Sequence, residues 1–220
     1  LKKSDVPRSE LFITSKIWND YQGYDKTIEF FSKSIENLGT DYLDLFLIHW
    51  PCEEDGLFIE TYKAMEKLYR DGRIRAIGVC NFKQHHLEKL MAETEITPAV
   101  NQVEVHPYFN QHDLQDFCDK HDIAVTAWMP LMRNQGLLEH PIIVDIAERY
   151  SKTPAQIVLR WHLAHNRLII PKSKTPKRIK ENYDIFDFSL ELTDIAEIDN
   201  LNRDARQGKD PDKVRIGDLK

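Results

Sequence analysis

Apolar stretches of this 220-residue chain repeatedly end on side chains able to hold a proton or a charge. Residues 43–51 read LDLFLIHWP, a buried-strand run that closes on His49. Lys16 in SKIWN and Lys172-Ser173 in LIIPKS end such runs too, and Cys80-Asn81 in IGVCNF, Gln102 in AVNQVEV and Trp128 in AVTAWMP sit at or near the ends of others. Histidine exchanges a proton near neutral pH, and a lysine ammonium lowers the pKa of an acid beside it. A lysine at a strand end is ordinarily a surface group, and a lone histidine there ordinarily a structural one. Trp18 and Trp50, close behind Lys16 and His49, weaken both plain readings. A second chemistry lies at KSKTPKRIK (172–180), where five of nine residues are basic in a chain of net charge −6. They straddle a predicted helix start, whose N–H groups and dipole favour an anion. A solvated basic helix face would be the plain alternative. Position after a strand decides for phosphate.

The bulk composition removes several classes of function. At 41% hydrophobic and 30% charged the chain can build a sizeable core, and its length fits one domain over residues 1–220. The negative net charge argues against non-specific binding to nucleic acid or membrane. No apolar run reaches the roughly 18 residues of a membrane span. Cys52, Cys80 and Cys118 are an odd number without CxxC spacing, which suits free thiols in a reducing compartment, so cytoplasmic. No metal site is expected. His85-His86 at a helix start, and His162 and His165 three apart on a helix, show no evident carboxylate or cysteine partner and read as surface histidines.

The elements that must position these groups alternate. Strands are predicted at 11–17, 43–49, 74–80, 99–105, 124–130 and 168–173, with helical periodicity between them. The helical patterns over 28–39 and 59–72 stop at Gly39 and Gly72. Thr153-Pro154 and Thr175-Pro176 each supply an N-cap oxygen followed by a proline at the first helical position. Alternating β and α with near-continuous apolar strands implies a parallel sheet covered by helices. Functional groups at many strand ends favour a (β/α)8 TIM barrel over a doubly wound sheet, which concentrates its site at one switch point. Only six strands are counted, against eight in a barrel of about 250 residues. Since Lys16 already lies on the first of them, the first two βα units would precede Leu1.

The motifs resemble those of the aldo-keto reductases. IGVCNF (77–82), preceded by MEKLYRDGRIRA, is similar to one family signature, and IIPKSKTPKRIKEN (169–182) to the basic cofactor-binding segment. SKIWN and LIHWP resemble the strand ends that hold the family's catalytic lysine and histidine. AVTAWMPL and the short tail after Asn202 look most like the branch of prostaglandin F synthase and 2,5-diketogluconate reductase.

The resemblance implies NADPH-dependent reduction of an aldehyde or ketone, by hydride transfer to carbon and general-acid protonation of oxygen. Lys16 and His49 match two members of the family's Asp-Tyr-Lys-His set; the Asp and the acidic Tyr would fall in the leading units. Trp18 and Trp50 would wall the carbonyl pocket. Asn81 and Gln102 would bind the nicotinamide carboxamide, with Cys80 standing where the family commonly has Ser, and Trp128 would stack on the ring. Leu131 would line the pyrophosphate passage. Lys172, Ser173, Thr175 and Arg178 would grip the 2′-phosphate, and Glu181 and Asn182 the adenine side. The family expectation is a monomer acting on a small carbonyl compound. Two rivals are a Schiff-base aldolase using a barrel lysine and a non-catalytic NADPH-binding relative.

Overall fold

The computed structural model of the chain describes residues 5–218. Its strands are β1 (Thr14–Ile17), β2 (Leu45–Ile48), β3 (Ile77–Cys80), β4 (Val100–Glu104), β5 (Ala124–Trp128) and β6 (Leu168–Ile169). Its helices are α1 (Tyr24–Leu38), α2 (Phe58–Arg70), α3 (Gln84–Glu93), α4 (His112–Lys120), α5 (Pro141–Tyr150), α6 (Pro154–Ala164), α7 (Pro176–Tyr183) and α8 (Leu192–Asp199). Strands neighbour one another in chain order, β1-β2-β3-β4-β5-β6. The β1–β2, β2–β3 and β5–β6 pairs are all parallel. Two compact units divide the chain: Leu1–Asn101 with Phe117–Ile123 and Lys209–Lys220, and Gln102–Asp116 with Ala124–Gly208. Among the described residues no helix is long and apolar enough to cross a membrane.

In the first unit, β2 and β3 are buried along their whole length, as expected for strands covered on both faces. Helix α1 turns Thr27, Phe31 and Ile35 inward, and Phe31 meets Phe46 edge-on at 5.7 Å. It stops at Gly39, whose left-handed backbone (φ 69°) lets its N–H reach the Ile35 and Glu36 carbonyls. Ahead of β2, buried Asp44 accepts from the Ile13 N–H at 2.9 Å and pairs with Arg8 at 2.8 Å and Arg75 at 2.9 Å. Burial alone would raise its pKa, but the Ile13 and Arg8 hydrogen bonds hold the carboxyl below its ordinary value. That side-chain bond also explains why β1 is shorter than the predicted 11–17, since the Ile13 N–H is spent on Asp44 rather than on a ladder.

In the second unit, β5 and β6 pair through Thr126↔Leu168 and Ala127↔Ile169. Strand β6 is only two residues long, not the predicted 168–173. Its last rung is the Ile170 N–H to the Ala127 carbonyl, and Pro171 has no N–H with which to continue. Lys172 and Ser173 therefore sit in the segment joining β6 to α7. Helix α6 begins with the expected cap, a box in which Thr153 and Gln156 each bond the other's backbone N–H. Thr175 also precedes its helix, α7, but makes no side-chain cap.

The reading of the extra histidines as surface groups fails at His86 and His162, both 0% exposed. Each is admitted to the interior by a backbone partner. His86 Nδ1 accepts the Lys83 N–H at 3.0 Å, and His162 Nε2 lies 3.2 Å from the Pro130 carbonyl.

Gly78 is where the sheet leaves no room for a side chain. A Cβ there would lie 2.5 Å from the Val100 carbonyl and 2.9 Å from Leu47 Cδ2. Gly78→Ala is expected to lower stability by about 1–3 kcal/mol, read as a fall in the midpoint of urea unfolding.

Candidate active site

The first unit brings Lys16, His49 and Asn81 to the ends of β1, β2 and β3. Lys16 is opposite Leu47 in the β1–β2 register, and Ile17 is opposite Ile48. The His49 N–H continues that ladder to the Ile17 carbonyl at 3.2 Å. On its other side, Asn81 Nδ2 donates to the His49 carbonyl at 2.9 Å. Asn81 follows β3 with a left-handed backbone (φ 62°), a conformation Asn tolerates better than most residues. His49 is thus held through both its N–H and its carbonyl, the latter by the Asn81 side-chain amide.

Around that clamp the side chains match the expected set unevenly. Half-buried Trp18 meets the His49 ring at 5.1 Å with an interplanar angle of 61°. Trp50 is 7% exposed and packs with Cys52 and Val214, while Gln22 Nε2 donates to its carbonyl. Burial, and after it the Lys16 ammonium, push the His49 imidazole down to about 4. At neutral pH the ring is uncharged, with one nitrogen a donor and the other an acceptor. Burial pushes the Cys80 thiol up to about 12 against a smaller opposing pull from Lys16. Cys80 is therefore a neutral, inert thiol there.

The second unit holds the basic cluster. Leu131, Lys172, Ser173, Thr175, Arg178, Glu181 and Asn182 line a single cavity of about 670 Å³. All seven were singled out in the sequence. Lys172 and Arg178 bring positive charge, and Ser173 and Thr175 bring hydroxyls. The start of α7, without a side-chain cap, adds backbone donors. This donor set fits a phosphate ester on a larger nucleotide. Glu181 is held by the Thr153 hydroxyl, which donates to its Oε1 at 2.7 Å. Gln102 and Trp128 lie outside that lining. Gln102 is buried on β4, and Trp128 is half-buried at the end of β5.

Several contributors escaped the sequence reading. Arg133 also lines the cavity, from a short helical turn in which its own backbone is left-handed (φ 48°). Its basic side chain two residues after Leu131 was the available signal. Thr153, singled out only as a helix cap, joins the same lining. Glu104, 1% exposed, accepts from the Gln207 N–H at 2.6 Å and the Gly208 N–H at 2.7 Å, and lies 3.0 Å from His106 Nε2. This pins Gly208 against Trp128, where a Cβ would come within 2.5 Å of the indole Cη2. No local pattern announces a bond across a hundred residues.

A family model described as "Aldo/keto reductase family" matches residues 1–203. The chain belongs to the aldo/keto reductase family. Glyoxal reductase of Bacillus subtilis is 52% identical over 214 residues, covering 97% of this chain and 76% of the relative. Methylglyoxal reductase DkgA of Escherichia coli is 44% identical over 97% of this chain and 77% of its own length. A solved aldo-keto reductase complexed with NADPH superposes with a TM-score of 0.88 at 31% identity, covering 93% of this chain and 68% of that one. The fold is the family's (β/α)8 fold, of which six parallel strands lie among the described residues. Family membership sets the aldolase alternative aside.

The electrostatic link from Lys16 to His49 is directly measurable. Lys16→Met removes the positive charge while burial remains. The His49 pKa should then rise from about 4 yet stay below its ordinary value, as followed by NMR titration of the imidazole.

Proposed function

We propose that this aldo-keto reductase reduces small aldehydes and ketones to alcohols with NADPH, the second unit holding the nucleotide and the first handling the carbonyl. What carries the reading is the gathering of Lys172, Ser173, Thr175 and Arg178 around one cavity, in a chain whose net charge of −6 would otherwise repel a phosphate. Lys172 and Arg178 are assigned to the 2′-phosphate, which distinguishes NADPH from NADH, with Ser173 and Thr175 donating hydroxyl hydrogen bonds. Glu181 and Asn182 are assigned to the adenine side, Leu131 to the pyrophosphate passage, and Gln102 and Trp128 to the nicotinamide.

Bound NADPH supplies the hydride that goes to the carbonyl carbon. The chain's own residues act on the oxygen. His49, uncharged at neutral pH, donates a ring N–H to the carbonyl oxygen and fixes its direction. The Lys16 ammonium stabilises negative charge developing there and lowers the pKa of an acid placed beside it. Trp18 excludes water from the reacting side of His49 and strengthens both effects. A pKa near 4 makes His49 a hydrogen-bond donor rather than a source of protons at pH 7. The Asp and Tyr of the family pattern are assigned to no residue of this sequence.

Glyoxal and methylglyoxal are the first substrates to try, because two relatives are named for reducing them. A cytoplasmic monomer is the accompanying proposal; three free, buried cysteines suit a reducing compartment. The deciding assay follows NADPH absorbance with methylglyoxal. In a chain that also carries the Asp and the proton-donating Tyr ahead of this sequence, turnover is expected, whereas saturable NADPH binding without turnover there would favour the non-catalytic alternative. Arg178→Ala should raise KM for NADPH by about ten-fold with kcat little changed, because the 2′-phosphate is gripped equally in ground and transition states. KM for NADH should barely move.

A further inference from the structure

Away from the active-site residues, three helix ends of the second unit bring two imidazoles and a carboxylate together. His112 opens α4, His165 caps the C-terminus of α6, and Asp199 closes α8. His165 Nε2 lies 2.9 Å from Asp199 Oδ1, and His112 Nε2 lies 3.5 Å from the same oxygen. All three ligand atoms fall within 4.8 Å of one another. Tetrahedral zinc with bonds of about 2.0–2.1 Å sets its ligands roughly 3.3 Å apart. The first two separations bracket that value. We propose that His112, His165 and Asp199 form a binding site for one divalent transition-metal ion of the zinc type, with the fourth position left to solvent.

The surroundings fit an ion of this class. A cavity of about 670 Å³ opens on His112 and Asp199 and gives solvent its way in. Trp161, fully buried, donates its indole N–H to Asp199 Oδ1 at 2.8 Å. A carboxylate ligand held by a second hydrogen bond is the usual support of a metal site. Two of the three helix ends are C-terminal, where the dipole favours a cation. The opposing charge is Arg167, buried and tied to Gln115 Oε1 and the Asn110 carbonyl, each at 3.0 Å. Asp113 and Asp204, in the same cavity, offset it.

Glu53, His85 and His86 form a second cluster, which makes a better control than a site. His86 Nδ1 accepts the Lys83 N–H, so the neutral ring keeps its proton on the Nε2 that would have to bind. Lys89 lies 3.6 Å from Glu53, and Lys83 2.6 Å from the adjoining Asp212.

The test is calorimetric titration of ZnCl2 into the untagged, chelator-treated chain, followed by the visible spectrum with Co2+. One Zn2+ per chain and an intense tetrahedral-type Co2+ band are expected. His112→Ala and His165→Gln, checked for folding by circular dichroism, should each weaken binding by at least about ten-fold, and His85→Ala should leave it unchanged. Absence of saturable uptake would overturn the proposal. So would uptake that survives both variants or is lost only with His85→Ala.

Discussion

The hydrogen bond from the His49 N–H to the Ile17 carbonyl, at 3.2 Å, is the last rung of a parallel ladder. Parallel pairing sends the C-terminal ends of adjacent strands to one edge of a sheet. The β1–β2 register then fixes which residues arrive there together. A slip of one residue would turn Lys16 to the opposite face. Asn81 completes the constraint by binding the His49 carbonyl from β3. Three short strands thus fix the backbone of His49, the residue to which orientation of the carbonyl is proposed to fall.

The electrostatics follow from that placement. A histidine in water would be partly protonated near neutral pH, and a charged ring beside Lys16 would be both repelled and poorly solvated. Burial and the ammonium act in the same direction, so the neutral form needs no further device. The second unit uses the opposite arrangement: its cations stand exposed along α7. In the proposed chemistry, one half needs a group stripped of charge by burial, and the other needs charge left in water.

Much of this was legible because it was local. His49 announced itself by ending an apolar run, and KSKTPKRIK by its charge in an acidic chain. Thr153 marked the α6 cap correctly because a capping box spans four residues. Two of the failures share a cause in distance along the chain. His162 looked like a surface group because its backbone partner, the Pro130 carbonyl, lies 32 residues away, whereas His86 was misread although its partner, the Lys83 N–H, is only three residues off. His165 seemed to lack a carboxylate partner because Asp199 lies 34 residues further on. The strand at 168–173 was overextended because apolar content was read past Pro171, although proline's missing N–H was in plain view.

Two glycines show how backbone proximity, rather than conformational freedom, shapes both units. Neither Gly78 nor Gly208 has the positive φ that usually demands glycine. Gly78 is required because the Val100 backbone approaches closer than a methyl group allows. Gly208 is required because the Trp128 indole and the Glu104 carboxylate occupy the space a Cβ would take. In the first case the missing side chain sets how closely β3, the strand leading to Asn81, can pack. In the second it seats an aromatic ring, with buried Glu104 holding the glycine in place through its N–H. Placing these functional groups therefore depends on what is missing beside them as much as on the groups themselves.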